Sequence, residues 1–420
     1  PEAAPEPTAT PAPATPEPTP EASSAGQPTP APTPTPFAPG DIEALPVDPD
    51  VTIGQLDNGL TYYIRRNDAP GGRAELRLAI NAGSAVEDAD QSGAAHFLEH
   101  MLFNGTERYP ANDLIAVLES FGSEFGPDVN AFTSYDETVY ELSIPTDDAD
   151  LVAEAFGVLR EWATNATIDP AEVEAERGVV VEEWRLRDQG LGGRIGDLYD
   201  ELLTTGTAYE GRAPIGEVES LRAMTADVLE RFYRDWYRPD LMAVVVVGDL
   251  DVDEVEERIV STFADIVGPA DARPLPPLDT TPNRERSFRR LEDPEMPFAY
   301  VELIAAGPAE PLLTLGDYRR TLAYDLAAET MRNRFDDDVA RGEAPYLRAY
   351  PSTTPIARGL ATPGLLAEAP ADAIQASFEA LLVELERVRR DGFTEAEFAR
   401  VRSAFLTQAE QAYAGRSTTQ

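Results

Sequence analysis

The sequence holds two histidines, four residues apart, with a glutamate beside the second: His96-Phe97-Leu98-Glu99-His100. On a helix, positions i and i+4 share one face, so both imidazoles can grip a single metal ion. Glu99 reaches toward the same point, where a carboxylate can serve as a base. A metal ion plus a base is the equipment for turning water against a carbonyl. A satisfied polar pair on a helix flank would explain a lone histidine, but it does not explain this pentad. Phe97, Leu98, Met101 and Leu102 read as ordinary core.

Two imidazoles leave zinc short of a third protein ligand and one open position. The chain has no cysteine, so a carboxylate must complete the set. Asp169 as N-cap, Pro170 at the first helical position and Glu172 two residues on mark a helix start. The helix predicted from there to about Arg187 carries Glu172, Glu174, Glu176, Glu182 and Glu183. Glu176 and Glu183 lie nearly two turns apart and share a face. With Val179 and Val180 between them, that face is predicted to turn inward, and buried carboxylates need a cation. Glu182 points about a hundred degrees away from Glu183 and is the other candidate ligand. Two neutral rings and one carboxylate leave zinc with net positive charge. It could then bring a bound water to a pKa of about 7 and polarise a scissile carbonyl. Glu99 would take the proton and pass it to the leaving amine.

The elements that position these residues follow from patterning. Residues 1–46 are rich in Pro, Thr and Ala and read as an extended linker that cannot bury a core. Folded structure is predicted from about Val51. Thr61–Arg66 and Arg73–Ile80 read as strands joined by a turn at Ala69-Pro70-Gly71-Gly72. The pentad falls in a helix over Ser92–Phe103, closed by Asn104-Gly105, with a second helix over Ala111–Phe121. Val129–Ile144 alternates like a strand or a hairpin pair, Leu151–Thr164 is helical, Leu241–Gly248 is a buried strand and Val252–Phe263 a helix. The zinc-binding αβ domain is thus placed at 47–268, followed by a Pro-rich linker at 269–282 and a second domain at 283–420. That second domain repeats the first. Phe298–Gly307 echoes Ala74–Gly83, and Thr394-Glu395-Ala396-Glu397 starts a helix as Asp169-Pro170-Ala171-Glu172 does, at an offset of about 225 residues. No histidine lies near Thr321–Asp325, the counterpart of the pentad. The second copy stops early, so the chain reads as a fragment of something longer.

Composition narrows the partners. The formal net charge is −42 and every cationic side chain is arginine, which disfavours nucleic acid and anionic membrane as ligands. The longest apolar run, Leu241–Val247, is too short to span a bilayer. Pro1 in place of a start methionine, followed by a Pro/Thr stalk, suggests a removed export signal and a bacterial protein that is periplasmic, surface-tethered or secreted.

His96-Phe97-Leu98-Glu99-His100-Met101, followed by Glu176-Arg177-Gly178-Val179-Val180-Val181-Glu182-Glu183, resembles the pitrilysin/insulinase family of zinc metallopeptidases, whose metal motif is H-x-x-E-H. The similarity runs from about Val51 to the end. It implies an α+β fold of tandem homologous αβ domains of the pitrilysin/processing-peptidase type, here with the second copy incomplete. It implies one Zn2+ per chain held by His96, His100 and Glu183, with Glu99 as base and Glu176 supporting. Asn130-Ala131-Phe132-Thr133 resembles the family's edge strand that pairs with substrate backbone, and Tyr237-Arg238-Pro239 matches its wording before a core strand. The resemblance also implies a clamshell chamber for peptides and unfolded segments, completed by a second half or subunit that supplies an Arg and a Tyr. The function so implied is a zinc-dependent endopeptidase. The alternatives are a non-catalytic scaffold or peptide-binding partner of a separate peptidase subunit and, ranked last, a metal-storage or sensing module.

Overall fold

The structure is a computed structural model that describes residues 42–416 apart from 70, 111, 112, 121–123, 125, 283 and 284. Most of the segment expected as an N-terminal linker lies outside the described residues, as do the ends of the helix expected over 111–121.

The first half runs β1 (Val51–Gln55), β2 (Thr61–Arg66), β3 (Arg73–Ile80), α1 (Ala94–Asn104), α2 (Asp113–Ser120), β4 (Val129–Thr133), β5 (Thr138–Pro145), α3 (Ala149–Thr164), α4 (Pro170–Gln189), α5 (Leu191–Thr204), α6 (Val218–Ala223), α7 (Ala226–Trp236), β6 (Met242–Gly248) and α8 (Val252–Phe263). Its six strands form one sheet in the order β1-β2-β6-β3-β5-β4. The two strands read as joined by a turn, β2 and β3, are not neighbours. β6 lies between them, parallel to β2 and antiparallel to β3. A run of four valines with no charge supplies a strand fit for the centre of a sheet.

β3 alternates as its sequence predicts: Ala74, Leu76, Leu78 and Ile80 are buried, while Glu75 and Arg77 are exposed. One core joins this inner face to α1, α3, α7 and α8. Each fully buried Val, Leu, Ile, Phe or Met side chain there contributes about 1.5–3 kcal/mol relative to exposure. Trp162 on α3 fixes α1 directly, donating from Nε1 to the Leu102 carbonyl at 3.1 Å. β4 pairs only with β5, so it closes one edge of the sheet.

The second half runs β7 (Ala299–Ile304), β8 (Gly307–Pro308), α9 (Leu315–Arg341), β9 (Arg348–Ala357), β10 (Leu360–Ala369), α10 (Ile374–Asp391) and α11 (Glu395–Gly415). The repeat is structural as well as textual. α10 begins 225 residues after α3, Ile374 against Ala149, and α11 begins 225 after α4, Glu395 against Pro170. Helix α9 stands where α1 would fall and carries no histidine. Arg334 on α9 ties this half together. Its Nη1 donates to Glu384 Oε1 at 2.8 Å and its Nε to Glu397 Oε1 at 2.7 Å, joining α9, α10 and α11.

The tip of the β9–β10 hairpin reaches back to the first sheet. Leu360 is fully buried in a small cluster with Ala85, Tyr135 and Tyr209. Arg358 donates from its backbone to Asp136 Oδ2 at 2.6 Å and from Nη1 to Asn81 Oδ1 at 2.6 Å. The second half thereby grips the turn between β4 and β5.

Candidate metal centre

Helix α1 is built to a fixed start. Gly93 sits just before it at φ 85°, a left-handed conformation that favours glycine. A Cβ on Gly93 would stand 2.8 Å from a Leu221 methyl. Glu87, only 3% exposed, accepts from the Gly93 and Ala95 backbone amides at 3.1 and 2.9 Å. A carboxylate there satisfies orphan helix donors and meets the positive end of the helix dipole. Burial pushes Glu87 up to about 8 against the pull of those amides. Phe97, Leu98, Met101 and Leu102 are buried, so the apolar side of α1 enters the core. The polar side, His96, Glu99 and His100, turns toward α4 and β4.

Helix α4 starts as its sequence predicts: Asp169 caps it, accepting from Ala171 N at 2.7 Å, and Pro170 opens it. Glu183 Oε2 lies 3.3 Å from His100 Nε2 and 3.7 Å from His96 Nε2. The three residues offer ligand atoms all within 4.8 Å of one another, the one such group among the described residues. Zinc bonds of about 2.0–2.1 Å in a tetrahedron separate ligand atoms by roughly 3.3 Å, so this spacing fits one ion. Glu182 lies outside this group. It is exposed, and its Oε2 accepts from Arg185 Nε at 2.8 Å. Val180 is fully buried on the face shared by Glu176 and Glu183. Val179, expected inward as well, is 54% exposed. The face shared by Glu176 and Glu183 is therefore a boundary, with one flank packed and the other open.

The ring nitrogens are sorted by their partners. His100 donates from Nδ1 to Glu176 Oε1 at 2.8 Å, which leaves Nε2 facing Glu183. Asn104, one turn on, donates to the other Glu176 oxygen at 2.6 Å. Glu176 thus holds His100 rather than sitting among the converging atoms, an arrangement that orients a metal-binding imidazole and raises its basicity. His96 Nδ1 is buried with no hydrogen-bond partner among the described residues, so only its Nε2 is presented.

Charge at the centre matches a cation site. Burial, reinforced by the neighbouring His100, pushes His96 down to about 4 and keeps it neutral. Burial would also lower His100, but hydrogen bonds to Glu176 and Glu183 and the charge of Glu99 raise it to about 9. The hydrogen bond to His100 is the main cause that holds both Glu176 and Glu183 below the usual carboxylate range. Three carboxylates around two rings draw in positive charge, which a divalent ion would supply.

Glu99 is 7% exposed, and burial raises its pKa, opposed by a hydrogen bond from Thr133. A raised carboxylate beside a cation site has the character of a general base. On β4, Val129 is buried and Ala131 and Thr133 are half-buried, while Asn130 and Phe132 are exposed. The strand's period of two therefore turns Thr133 inward, where its Oγ1 donates to Glu99 Oε2 at 2.6 Å. The Asn104 and Thr133 contacts were not singled out by sequence reasoning. The i+4 spacing from His100 to Asn104 was a signal for the first. Only the strand's position against α1 supplies the second.

If Glu176 orients His100, Glu176→Gln is expected to weaken zinc binding by about 10- to 100-fold without abolishing it. Competition with a chromophoric chelator measures this, and unchanged affinity would remove Glu176 from the centre.

Comparison with known proteins gives the family. The family described as insulinase (peptidase family M16) matches residues 62–190, and its inactive domain matches residues 223–405. A protein named "Zinc protease PQQL-like" from Arabidopsis thaliana is 34% identical over 87% of this chain, which covers 36% of that protein. "Probable zinc protease PqqL" of Escherichia coli is 33% identical over 87% of this chain, which covers 39% of it. The crystal structure of the first half of the periplasmic protease PqqL from Escherichia coli superposes with a TM-score of 0.81 at 31% identity, covering 90% of this chain and 80% of that one. The chain therefore spans well under half the length of these curated relatives and most of that solved half. It belongs to the insulinase (M16) peptidase family and carries that family's tandem αβ architecture.

Proposed function

We propose that the protein is the metal-bearing half of a zinc-dependent endopeptidase acting on peptides or unfolded polypeptides. The observation that carries this reading is the convergence of His96 Nε2, His100 Nε2 and Glu183 Oε2 beside the buried carboxylate of Glu99. One Zn2+ held there would supply Lewis acidity to a scissile carbonyl and to water. His96 offers a neutral nitrogen to it, His100 would give up its Nε2 proton on binding it, and Glu176 fixes the His100 ring. Glu99 accepts the proton lost by the attacking water and delivers it to the leaving amine. The free edge of β4, Asn130-Ala131-Phe132-Thr133, offers backbone groups to an extended substrate, and a strand added there is held mainly by main-chain hydrogen bonds. That mode suits a peptide or an unfolded segment.

A second half or subunit completes the chamber; the lengths of the relatives support this. The relative with a solved half is named a periplasmic protease, which supports an extracytoplasmic site of action. No helix among the described residues is long and apolar enough to cross a membrane. Cleavage of a fluorogenic peptide by the zinc-loaded chain and by Glu99→Gln tests the reading; equal turnover by both would refute it.

A further inference from the structure

The hydroxyl of Thr133 is spent on Glu99. Its Oγ1 donates to Glu99 Oε2 at 2.6 Å, a short charge-assisted contact of the stronger kind. Glu99 ends in a carboxylate whose last torsion is broad and roughly twofold, so one firm donor on one oxygen sets the plane of the group.

The donor itself is held on both sides. Thr133 pairs with Thr138 across the hairpin, and Thr138 Oγ1 donates to the Ala82 carbonyl at 3.0 Å. Beyond it the turn is pinned. The Ser134 and Tyr135 carbonyls accept from the Ser84 and Ala85 amides at 3.1 and 2.8 Å. Asp136 accepts from the Tyr209 hydroxyl at 3.0 Å and from the Arg358 backbone at 2.6 Å. A residue whose side chain faces α1 and whose backbone is anchored at the turn makes a rigid support. It makes a poor adaptable substrate contact.

We propose that Thr133 is a positioning residue for Glu99, so that the edge strand offered to substrate also aims the base. This rests on the peptidase reading above and deepens it. The strand's main chain lies in the sheet plane and its inward side chains lie perpendicular to it, so one segment serves both tasks without competition. Thr133 then acts on the chemical step, through Glu99, and its hydroxyl contributes little to holding substrate.

The test compares Thr133→Val, which keeps shape and loses the donor, with Thr133→Ser, which keeps the donor, in the zinc-loaded chain. For Thr133→Val, kcat is expected to fall by about 10- to 100-fold with KM within about twofold, the loss associated with a misplaced catalytic group. Thr133→Ser is expected to recover most of it. Zinc affinity by chelator competition should be unchanged in both. A second readout needs no turnover. A peptide hydroxamate, whose bound form leans on the base, should bind about tenfold more weakly to Thr133→Val, the scale of losing an outer partner. The double variant with Glu99→Gln should bind no more weakly than Glu99→Gln alone, since contacts in one network are not additive.

A raised KM with kcat intact would make Thr133 a substrate contact and overturn the proposal. So would a Thr133→Ser variant as poor as Thr133→Val. Full activity and full hydroxamate affinity in Thr133→Val would also overturn it, and if Glu99→Gln were inert in the same assay the peptidase reading would stand. Turnover surviving in Glu99→Gln would instead overturn that reading.

Discussion

Glu99→Gln is expected to lower kcat for peptide cleavage by about 10²- to 10⁴-fold, the usual worth of a positioned general base, while zinc stays bound. Glutamine has the same shape and still offers an oxygen to the Thr133 hydroxyl, so the 2.6 Å contact survives. What is lost is the ability to take a proton. Because Glu99 does not stand among the converging ligand atoms, metal content should match wild type. Turnover and metal analysis on the same preparation separate the two roles. Lost zinc would mean that Glu99 is a ligand, and retained turnover would mean that it is not the base.

Glu183→Gln should lower zinc affinity by more than about 100-fold, beyond the 10- to 100-fold typical of an outer partner alone. Its carboxylate is the one anionic member of the trio, and its Oε2 meets both Nε2 atoms. Glu182→Gln, one residue earlier, should leave affinity unchanged, since Glu182 is turned toward Arg185. Equilibrium dialysis of the two variants side by side reads the phase of α4 directly. A loss in Glu182→Gln with Glu183→Gln intact would mean that α4 is rotated by about one residue.

The centre was largely legible from spacing because it is built on two helices. Helical period alone puts His96 with His100 and Glu176 with Glu183, and the Asp169-Pro170 start fixes the phase of α4. Choosing between Glu182 and Glu183 needed the resemblance at the level of sequence; in the structure Arg185 and the facing rings separate them. What escaped was non-local. β6 enters the sheet from more than 160 residues beyond β3, and no window of sequence reports which strands it separates. The open flank at Val179 depends on what does not cover α4, which periodicity cannot express. Thr133 was assigned to substrate by resemblance; its contact with Glu99 depends on how β4 lies against α1. The grip of Arg358 on Asp136 and Asn81 joins residues more than 200 apart.

Equilibrium metal analysis of the purified chain, coupled to zinc-edge X-ray absorption, reads the proposed metal centre itself. One zinc ion per chain is expected, with two imidazole nitrogens and carboxylate oxygen at about 2.0–2.1 Å. Substoichiometric zinc after reconstitution, or a coordination shell without paired imidazoles, would contradict it.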